Sequence, residues 1–189
     1  MEGKKKKKKL LWGITGSGYL IKESIDLMNK LQEEYDIKIS VILSKEGAVV
    51  VKWYRQWLYL KEIISNVQVE KTPNNPWIAG PLQIGKYDSF VICPITANTV
   101  AKIAYGIADN LITNCVAQGI KGGMEIILLP SDQEDKPIKT HRPDGSELIL
   151  QVRDVELENV GKLKKMQGIQ VVSDIFEIKN ILLKQLNIA

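Results

Sequence analysis

Ser89-Phe90-Val91-Ile92-Cys93, together with the turn Pro94-Ile95-Thr96-Ala97-Asn98-Thr99, is the stretch from which the fold of this chain can be predicted. The first run is almost wholly apolar, which is typical of a strand buried on both faces of a sheet. We expect the strand to stop at Pro94, because proline has no N–H for a continuing ladder. Small and hydroxylated residues then lead into a helix, with Thr96 or Asn98 as its cap.

A polar turn between the carboxyl end of a buried strand and a helix is where open α/β sheets bind ligands. The start of the helix would offer free backbone N–H groups and a positive dipole end to an anion. The alternative is an ordinary strand-to-helix loop with a well-capped helix. This stretch alone is compatible with both interpretations.

Two earlier turns occupy the same position after a predicted strand. The first strand candidate runs from Leu10 to Ile14 and leads through a tight glycine turn into an amphipathic helix from Tyr19 to about Glu33. Glycines in that turn would let the backbone approach a ligand closely, and a serine would cap the helix or contact phosphate. A second strand ends at Ser44. The predicted contact residues of these two turns are Gly13, Thr15, Gly16, Ser17 and Ser44.

The remaining chain continues the alternation of strands and helices. We expect helices at 46–57, from a cap at Asp109 to about 118, at 154–166, and from a cap at Ser173 or Asp174 to about 186. Strands are expected within 63–69 and at 125–129, 147–152 and 169–172, and loop signals dominate 72–81. The pattern predicts an α/β fold with a doubly wound, mostly parallel, Rossmann-like (flavodoxin-like) sheet and helices on both faces. The three polar turns then lie at one edge of that sheet.

The length and net charge of the chain limit the classes of protein to which it can belong. The chain has 189 residues, of which 44% are hydrophobic, so we expect one domain at 10–189 after a disordered, lysine-rich arm at 1–9. Removing the six lysines at 4–9 from the net charge of +4 leaves −2, so nucleic-acid binding is not expected. The arm is either a solvated tail or a docking element for an acidic partner.

Other sequence features argue against several further classes. No apolar run approaches the length of about 20 residues that spans a bilayer. Cys93 and Cys115 have apolar neighbours and suggest core thiols of a reducing, cytoplasmic compartment. With His141 as the only histidine, a protein-ligated metal site has too few ligands. Trp77 lies in the predicted long loop, where it would cover a planar ligand or belong to an interface or the core.

The chain resembles the flavoprotein family of homo-oligomeric flavin-containing cysteine decarboxylases. Pro94 to Thr99 is similar to the family's Pro-Ala-Ser/Thr-Ala-Asn-Thr signature, and the resemblance continues to Thr113. Gly13 to Ser17 resembles its N-terminal phosphate turn. The resemblance implies FMN as cofactor, with Gly13, Thr15, Gly16, Ser17 and Ser44 at the phosphate end. It also implies that Thr96, Ala97, Asn98 and Thr99 contact the phosphate, the ribityl chain or the ring.

The chain departs from the decarboxylase branch at two places. The position of that branch's histidine falls near Gly80, and its Pro-x-Met-Asn motif is replaced by Pro130-Ser131-Asp132-Gln133. The chain is more similar to the archaeoflavoprotein group, which includes dihydromethanopterin reductase (acceptor) of methanogenic archaea. That resemblance implies a homo-oligomeric electron carrier that accepts electrons from ferredoxin and passes them to a protein or a pterin, without a catalytic side chain. A dimer, a trimer and larger assemblies all remain open, and partner chains are expected to complete the site through Trp77 or the 132–144 loop.

Two other functions stay open at this point. One is a flavin-dependent cysteine decarboxylase, similar to phosphopantothenoylcysteine decarboxylase, with rearranged catalytic residues. The other is a flavin-binding subunit without turnover of its own.

Overall fold

Parallel strands of apolar residues form the centre of this protein, for which a computed structural model describes residues 7–188. The strands are β1 (Lys8–Ile14), β2 (Ile37–Leu43), β3 (Asn66–Val69), β4 (Ser89–Ile95), β5 (Ile126–Pro130), β6 (Ile138–His141), β7 (Glu147–Leu150) and β8 (Ile169–Val171). The helices are α1 (Ile21–Glu34), α2 (Lys45–Trp53), α3 (Trp57–Ile63), α4 (Pro76–Gln83), α5 (Ala97–Ala104), α6 (Leu111–Lys121), α7 (Asp154–Leu163) and α8 (Ile175–Leu186).

The main sheet has the order β3-β2-β1-β4-β5-β8, and all of its pairs are parallel. The chain moves outward from β1 in one direction and from β4 in the other, so the order reverses between these two neighbours. Such a reversal leaves a crevice at the carboxyl ends of the two central strands. The predicted doubly wound, Rossmann-like α/β fold is confirmed.

Helices cover both faces of this sheet, as predicted. One hydrophobic cluster joins the sheet to α1, α2, α3 and α8, and the other joins it to α4, α5, α6 and α7. Successive strand residues face opposite sides, so Trp12 belongs to the first cluster and Leu11 to the second. Within the described residues, no helix combines the length and apolar composition needed to cross a bilayer.

Several predicted boundaries are wrong. β1 begins at Lys8, so Lys8 and Lys9 belong to the sheet and not to a disordered arm, while positions 1–6 lie outside the described residues. β4 continues past Pro94 to Ile95. The missing N–H of Pro94 falls where the β4–β5 register shifts between Ile92 and Ile95, so the ladder loses no regular hydrogen bond there.

Two predicted helices also differ from the structure. The helix expected at 46–57 is divided into α2 and α3 by Arg55, whose φ is 59°. The cap of α6 is Asn110, whose side-chain oxygen accepts a hydrogen bond from Thr113 N at 2.9 Å. Asp109 is instead paired with Lys102 Nζ at 2.8 Å.

The predicted long loop around Trp77 is largely helical. Asn75 caps α4 by accepting a hydrogen bond from Trp77 N at 3.1 Å, and Pro76 occupies the first turn, where its missing N–H costs nothing. The short strand expected within 63–69 is confirmed as β3. The Pro143-Asp144-Gly145 turn joins β6 and β7 into an antiparallel hairpin.

Gly47 limits what the first turn of α2 can accommodate. A Cβ at this position would lie 2.5 Å from the Ile14 backbone oxygen. We expect Gly47→Ala to destabilise the protein by about 1–3 kcal/mol, because the backbone of β1 must shift. The measurement is the thermal unfolding midpoint at one fixed protein concentration.

Gly161→Ala is the matched control for that substitution. Gly161 lies in α7, and a Cβ there would meet nothing within 4 Å. Alanine favours a helix over glycine by roughly 1 kcal/mol, so this variant should unfold at an equal or higher temperature. Equal losses in both variants would contradict the steric explanation.

The two cysteines are free thiols buried in the core. Burial raises the pKa of Cys93 and of Cys115 to about 12, because the thiolate is poorly solvated there. The thiolate is the reactive form, so we expect neither residue to react with Ellman's reagent at pH 8 in the folded protein. Both should react after unfolding in urea. Rapid reaction of the native protein would show that the core opens near these residues.

Candidate functional site

The hydroxyl of Thr15 joins the carboxyl ends of the two central strands. Thr15 N and Oγ1 both donate to the Pro94 carbonyl, at 3.2 and 3.1 Å, and Oγ1 accepts from Thr96 N at 2.8 Å. Thr15 is 1% exposed, so these bonds are shielded from water. The turn after β1 and the turn after β4 are therefore held in one fixed arrangement.

The turn after β2 is attached to the same point. Ser44 N donates to the Ile14 carbonyl at 3.1 Å, and the Ser44 hydroxyl accepts from Gly47 N at 2.9 Å to cap α2. The absence of a side chain at Gly47 allows α2 to approach the end of β1. All three predicted turns thus meet at the carboxyl edge of the sheet.

The start of α5 presents unpaired backbone donors at this edge. Thr96 caps the helix by accepting from Thr99 N at 3.3 Å, and its hydroxyl also lies 3.0 Å from Thr99 Oγ1. The N–H groups of Ala97 and Asn98 bond to no other described residue, as expected for the first turn of a helix. Together with the helix dipole, these groups favour an anion.

Two adjoining cavities lie along this edge. The larger has a volume of about 560 Å³ and is rich in hydroxyl groups and charges. Its lining residues are Thr15, Gly16, Ser44, Lys45, Glu46, Glu70, Thr96, Asn98, Thr99, Lys102 and Asn110. The smaller, of about 330 Å³, shares Gly16, Thr96 and Asn98 with it. The two cavities are therefore separated only by the glycine turn and the start of α5.

The smaller cavity has a different character, because the β6–β7 hairpin supplies an apolar wall. Its other lining residues are Ser17, Gly18, Tyr19, Tyr54, Ala97, Ser131, Asp132, Ile138, Thr140, Leu148 and Leu150. The Tyr54 hydroxyl donates to the His141 carbonyl at 2.8 Å and so connects the hairpin to the end of α2. Burial and the charge of Glu134 raise the pKa of Tyr19 above its usual value, so its hydroxyl stays protonated at neutral pH.

The structure brings together all but one of the predicted contact residues. Gly13 is the exception, since it lies inside β1 and outside both cavities. A Cβ there would be 3.2 Å from both Ile92 Cγ1 and Ile112 Cδ1. The glycine therefore makes room for α6, and its predicted contact with a ligand stays a prediction.

Other residues named from the sequence lie outside these cavities. Trp77 is on α4 with 86% of its surface exposed, and it lines neither cavity. Gly80 is also on α4, and a Cβ there would meet nothing within 4 Å. Lys8 and Lys9 lie at the opposite end of β1 from Thr15, about 20 Å away at the usual strand rise.

Sequence reasoning missed several residues of the site. Glu70 directly follows β3 and is 8% exposed, so a search for polar residues at every strand end would have found it. Lys102 and Asn110 face the larger cavity from α5 and from the cap of α6. The hairpin residues gave no local signal, because their position depends on contacts with distant parts of the chain.

The sequence of this chain is similar to those of several known proteins. Residues 1–184 match the model of the family described as Flavoprotein. An uncharacterized protein of Methanocaldococcus jannaschii is 42% identical over 180 residues, covering 95% of this chain and 97% of that protein. Dihydromethanopterin reductase (acceptor) of the same organism is 38% identical over 142 residues, covering 71% of this chain and 58% of the reductase.

A solved structure provides the corresponding comparison in three dimensions. Burkholderia xenovorans DmrB in complex with FMN, described as a cubic protein cage for redox transfer, has a TM-score of 0.81 and 31% identity to this chain. The likeness covers 97% of this chain and 99% of DmrB. The family match over residues 1–184 and the identity to these relatives show that this chain belongs to the Flavoprotein family.

Proposed function

We propose that this chain binds FMN at the carboxyl edge of its sheet and acts as an FMN-dependent oxidoreductase that passes electrons to a pterin acceptor. The observation that carries the proposal is the fixed meeting of three strand ends around one hydroxyl-rich cavity. The relatives support the redox assignment, since one is named dihydromethanopterin reductase (acceptor) and DmrB has been solved with FMN.

The donor groups of the larger cavity fit the polar part of FMN. We assign the phosphate to the start of α5, where the two cavities meet and the free N–H groups of Ala97 and Asn98 are next to the hydroxyls of Thr96 and Thr99. Gly16, Ser17 and Ser44 would complete the polar side of the site. The hydroxyl of Thr15 is already bonded to the protein, so Thr15 acts as a positioning residue.

Two carboxylates, those of Glu46 and Glu70, line the larger cavity. Glu70 makes no side-chain hydrogen bond to another described residue. A carboxylate repels a phosphate but accepts hydrogen bonds from hydroxyl groups. We therefore assign Glu70 to the ribityl hydroxyls, away from the phosphate end.

When bound, FMN supplies the redox chemistry, and the protein fixes and surrounds it. No side-chain acid or base is required for electron transfer by such a cofactor. For the partners, we propose ferredoxin as electron donor and a homo-oligomer as the working form, by analogy with the DmrB cage. The free cysteines support a reducing compartment such as the cytoplasm.

The described part of the lysine block, Lys7 to Lys9, is poorly placed to dock that donor. Lys7 pairs with Asp36 and Lys8 with Asp88, at the amino edge of the sheet. An acidic protein bound there would be about 20 Å from the cavity of the same protomer, measured along β1. Donor binding at the carboxyl edge is therefore the better proposal.

Cysteine decarboxylation has less support from these residues. Gly80 has no side chain, and His141 is exposed and lines neither cavity. The segment replacing the decarboxylase motif does reach the smaller cavity, but it supplies Ser131 and Asp132.

Thr15→Val tests the site. Valine has nearly the shape of threonine but leaves Thr96 N without its acceptor. We expect a destabilisation of about 1–3 kcal/mol and an FMN affinity lowered by at least tenfold, since the turns lose their connection. The measurements are thermal unfolding and equilibrium titration with FMN. Thr15→Ser keeps the hydroxyl and should retain most of the affinity; an unchanged affinity in the valine variant would contradict the positioning role.

The visible absorption spectrum tests the function. We expect flavin bands in the purified protein, or after adding FMN, and bleaching of these bands when reduced ferredoxin is added without oxygen. Reoxidation of the reduced flavin by a dihydropterin would then identify the pterin as the acceptor. Flavin bands that persist with ferredoxin would favour another donor or a passive flavin-binding subunit. Failure to take up FMN would overturn the cofactor assignment.

A further inference from the structure

The smaller cavity combines one carboxylate with an apolar wall. Among the described residues that line this cavity, Asp132 is the acidic one. Ile138, Leu148 and Leu150 of the hairpin form the apolar wall. Such a cavity fits a planar heterocycle that carries hydrogen-bond donors on one edge. Polar contacts then fix the orientation of the ligand, and the apolar wall supplies contact area.

Asp132 is held in place by its neighbour. Ser131 N donates to the Ile95 carbonyl at 3.0 Å, which ties the residue after β5 to the end of β4. The Ser131 hydroxyl donates to Asp132 Oδ2. Asp132 Oδ1 forms no hydrogen bond with another described residue, and the side chain is only partly buried. One carboxylate oxygen is thus fixed and the other is available to a ligand.

No cation among the described residues forms an ion pair with this carboxylate. The guanidinium of Arg153 bonds to Glu156 through Nε at 2.8 Å; this bond and the charge of Glu156 raise the pKa of Arg153, and the charge of Asp132 adds to the rise. Lys136 is paired with Glu134. A ligand that brings two adjacent N–H donors would therefore satisfy Asp132 better than the protein does.

We infer that Asp132 recognises the 2-amino-4-oxo edge of a pterin in the smaller cavity, a specificity that rests on the proposed redox function. The N3–H and 2-amino groups of a pterin are adjacent donors, and a carboxylate accepts both at once. Asp132 Oδ1 accepts one of them, and Oδ2 accepts the other through its second lone pair, beside the hydrogen bond from Ser131. The isoalloxazine ring instead presents N3–H between two carbonyls, and their lone pairs face a carboxylate unfavourably. Asp132 thereby disfavours the isoalloxazine ring in the cavity that receives the acceptor, and that ring is directed to the larger one.

Binding measurements on the FMN-loaded protein test this inference without turnover. The probes are 6-methylpterin and 6-methyllumazine, whose 2-oxo group replaces the 2-amino group and reproduces the flavin pattern of N3–H between two carbonyls. Isothermal titration should show that the wild type prefers the pterin. We expect Asp132→Asn to weaken pterin binding by about 10- to 100-fold, to lose that preference and to retain FMN.

Asp135→Asn is the matched control. Asp135 lies three residues away on the same loop, but it is exposed and outside the smaller cavity. Its variant should bind both probes and FMN as the wild type does. Because asparagine has the shape of aspartate and still accepts from Ser131, bound FMN in Asp132→Asn shows that the variant is folded.

Three results would overturn the inference. Equal binding of pterin and lumazine by the wild type would do so, as would an unchanged preference in Asp132→Asn, and both would leave the pterin acceptor standing. A wild type that binds FMN and is reduced, yet binds neither probe, would overturn Asp132 recognition and the pterin acceptor together. The FMN assignment would survive that third result.

Discussion

The two hydrogen bonds of the Thr15 hydroxyl are the constraint on which the site depends. Its oxygen accepts from Thr96 N and its proton goes to the Pro94 carbonyl, so one buried side chain joins the ends of β1 and β4. These strands are neighbours at the point where the sheet order reverses. The joint fixes the glycine turn against the start of α5, and that contact is the wall between the two cavities.

Packing beneath this joint makes it rigid. Trp12 is fully buried below it, and its indole N–H is within hydrogen-bond distance of the Cys93 carbonyl at 2.9 Å and of the Ser24 hydroxyl at 3.1 Å. Ser24 also donates to the same carbonyl at 2.8 Å, which ties α1 to β4. Because helices bury both faces of the sheet, water cannot replace these bonds. The carboxyl edge of the sheet is therefore supported by a closely packed core.

The two cavities differ in the chemistry that they can satisfy. The larger offers helix N–H groups, hydroxyls and two carboxylates, which suits a ligand with both a phosphate and hydroxyl groups. The smaller offers an apolar hairpin wall and one carboxylate with a free oxygen. These environments lie side by side at the start of α5, so the two ligands that we propose would be close together. Proximity of that kind is what electron transfer between a cofactor and an acceptor requires.

The sequence alone determined the sheet and the three turns. Apolar runs such as Val91 and Ile92 specify buried strands, and parallel strands necessarily bring Thr15, Ser44 and Thr96 to one edge. Only the tertiary structure decided which residues line the two cavities. Thr15 is turned inward by its bonds, Gly13 lies beneath α6, and Trp77 projects from a helix away from both cavities. Glu70, Asp132 and the hairpin join the site through contacts between distant segments, which local periodicity and capping do not encode.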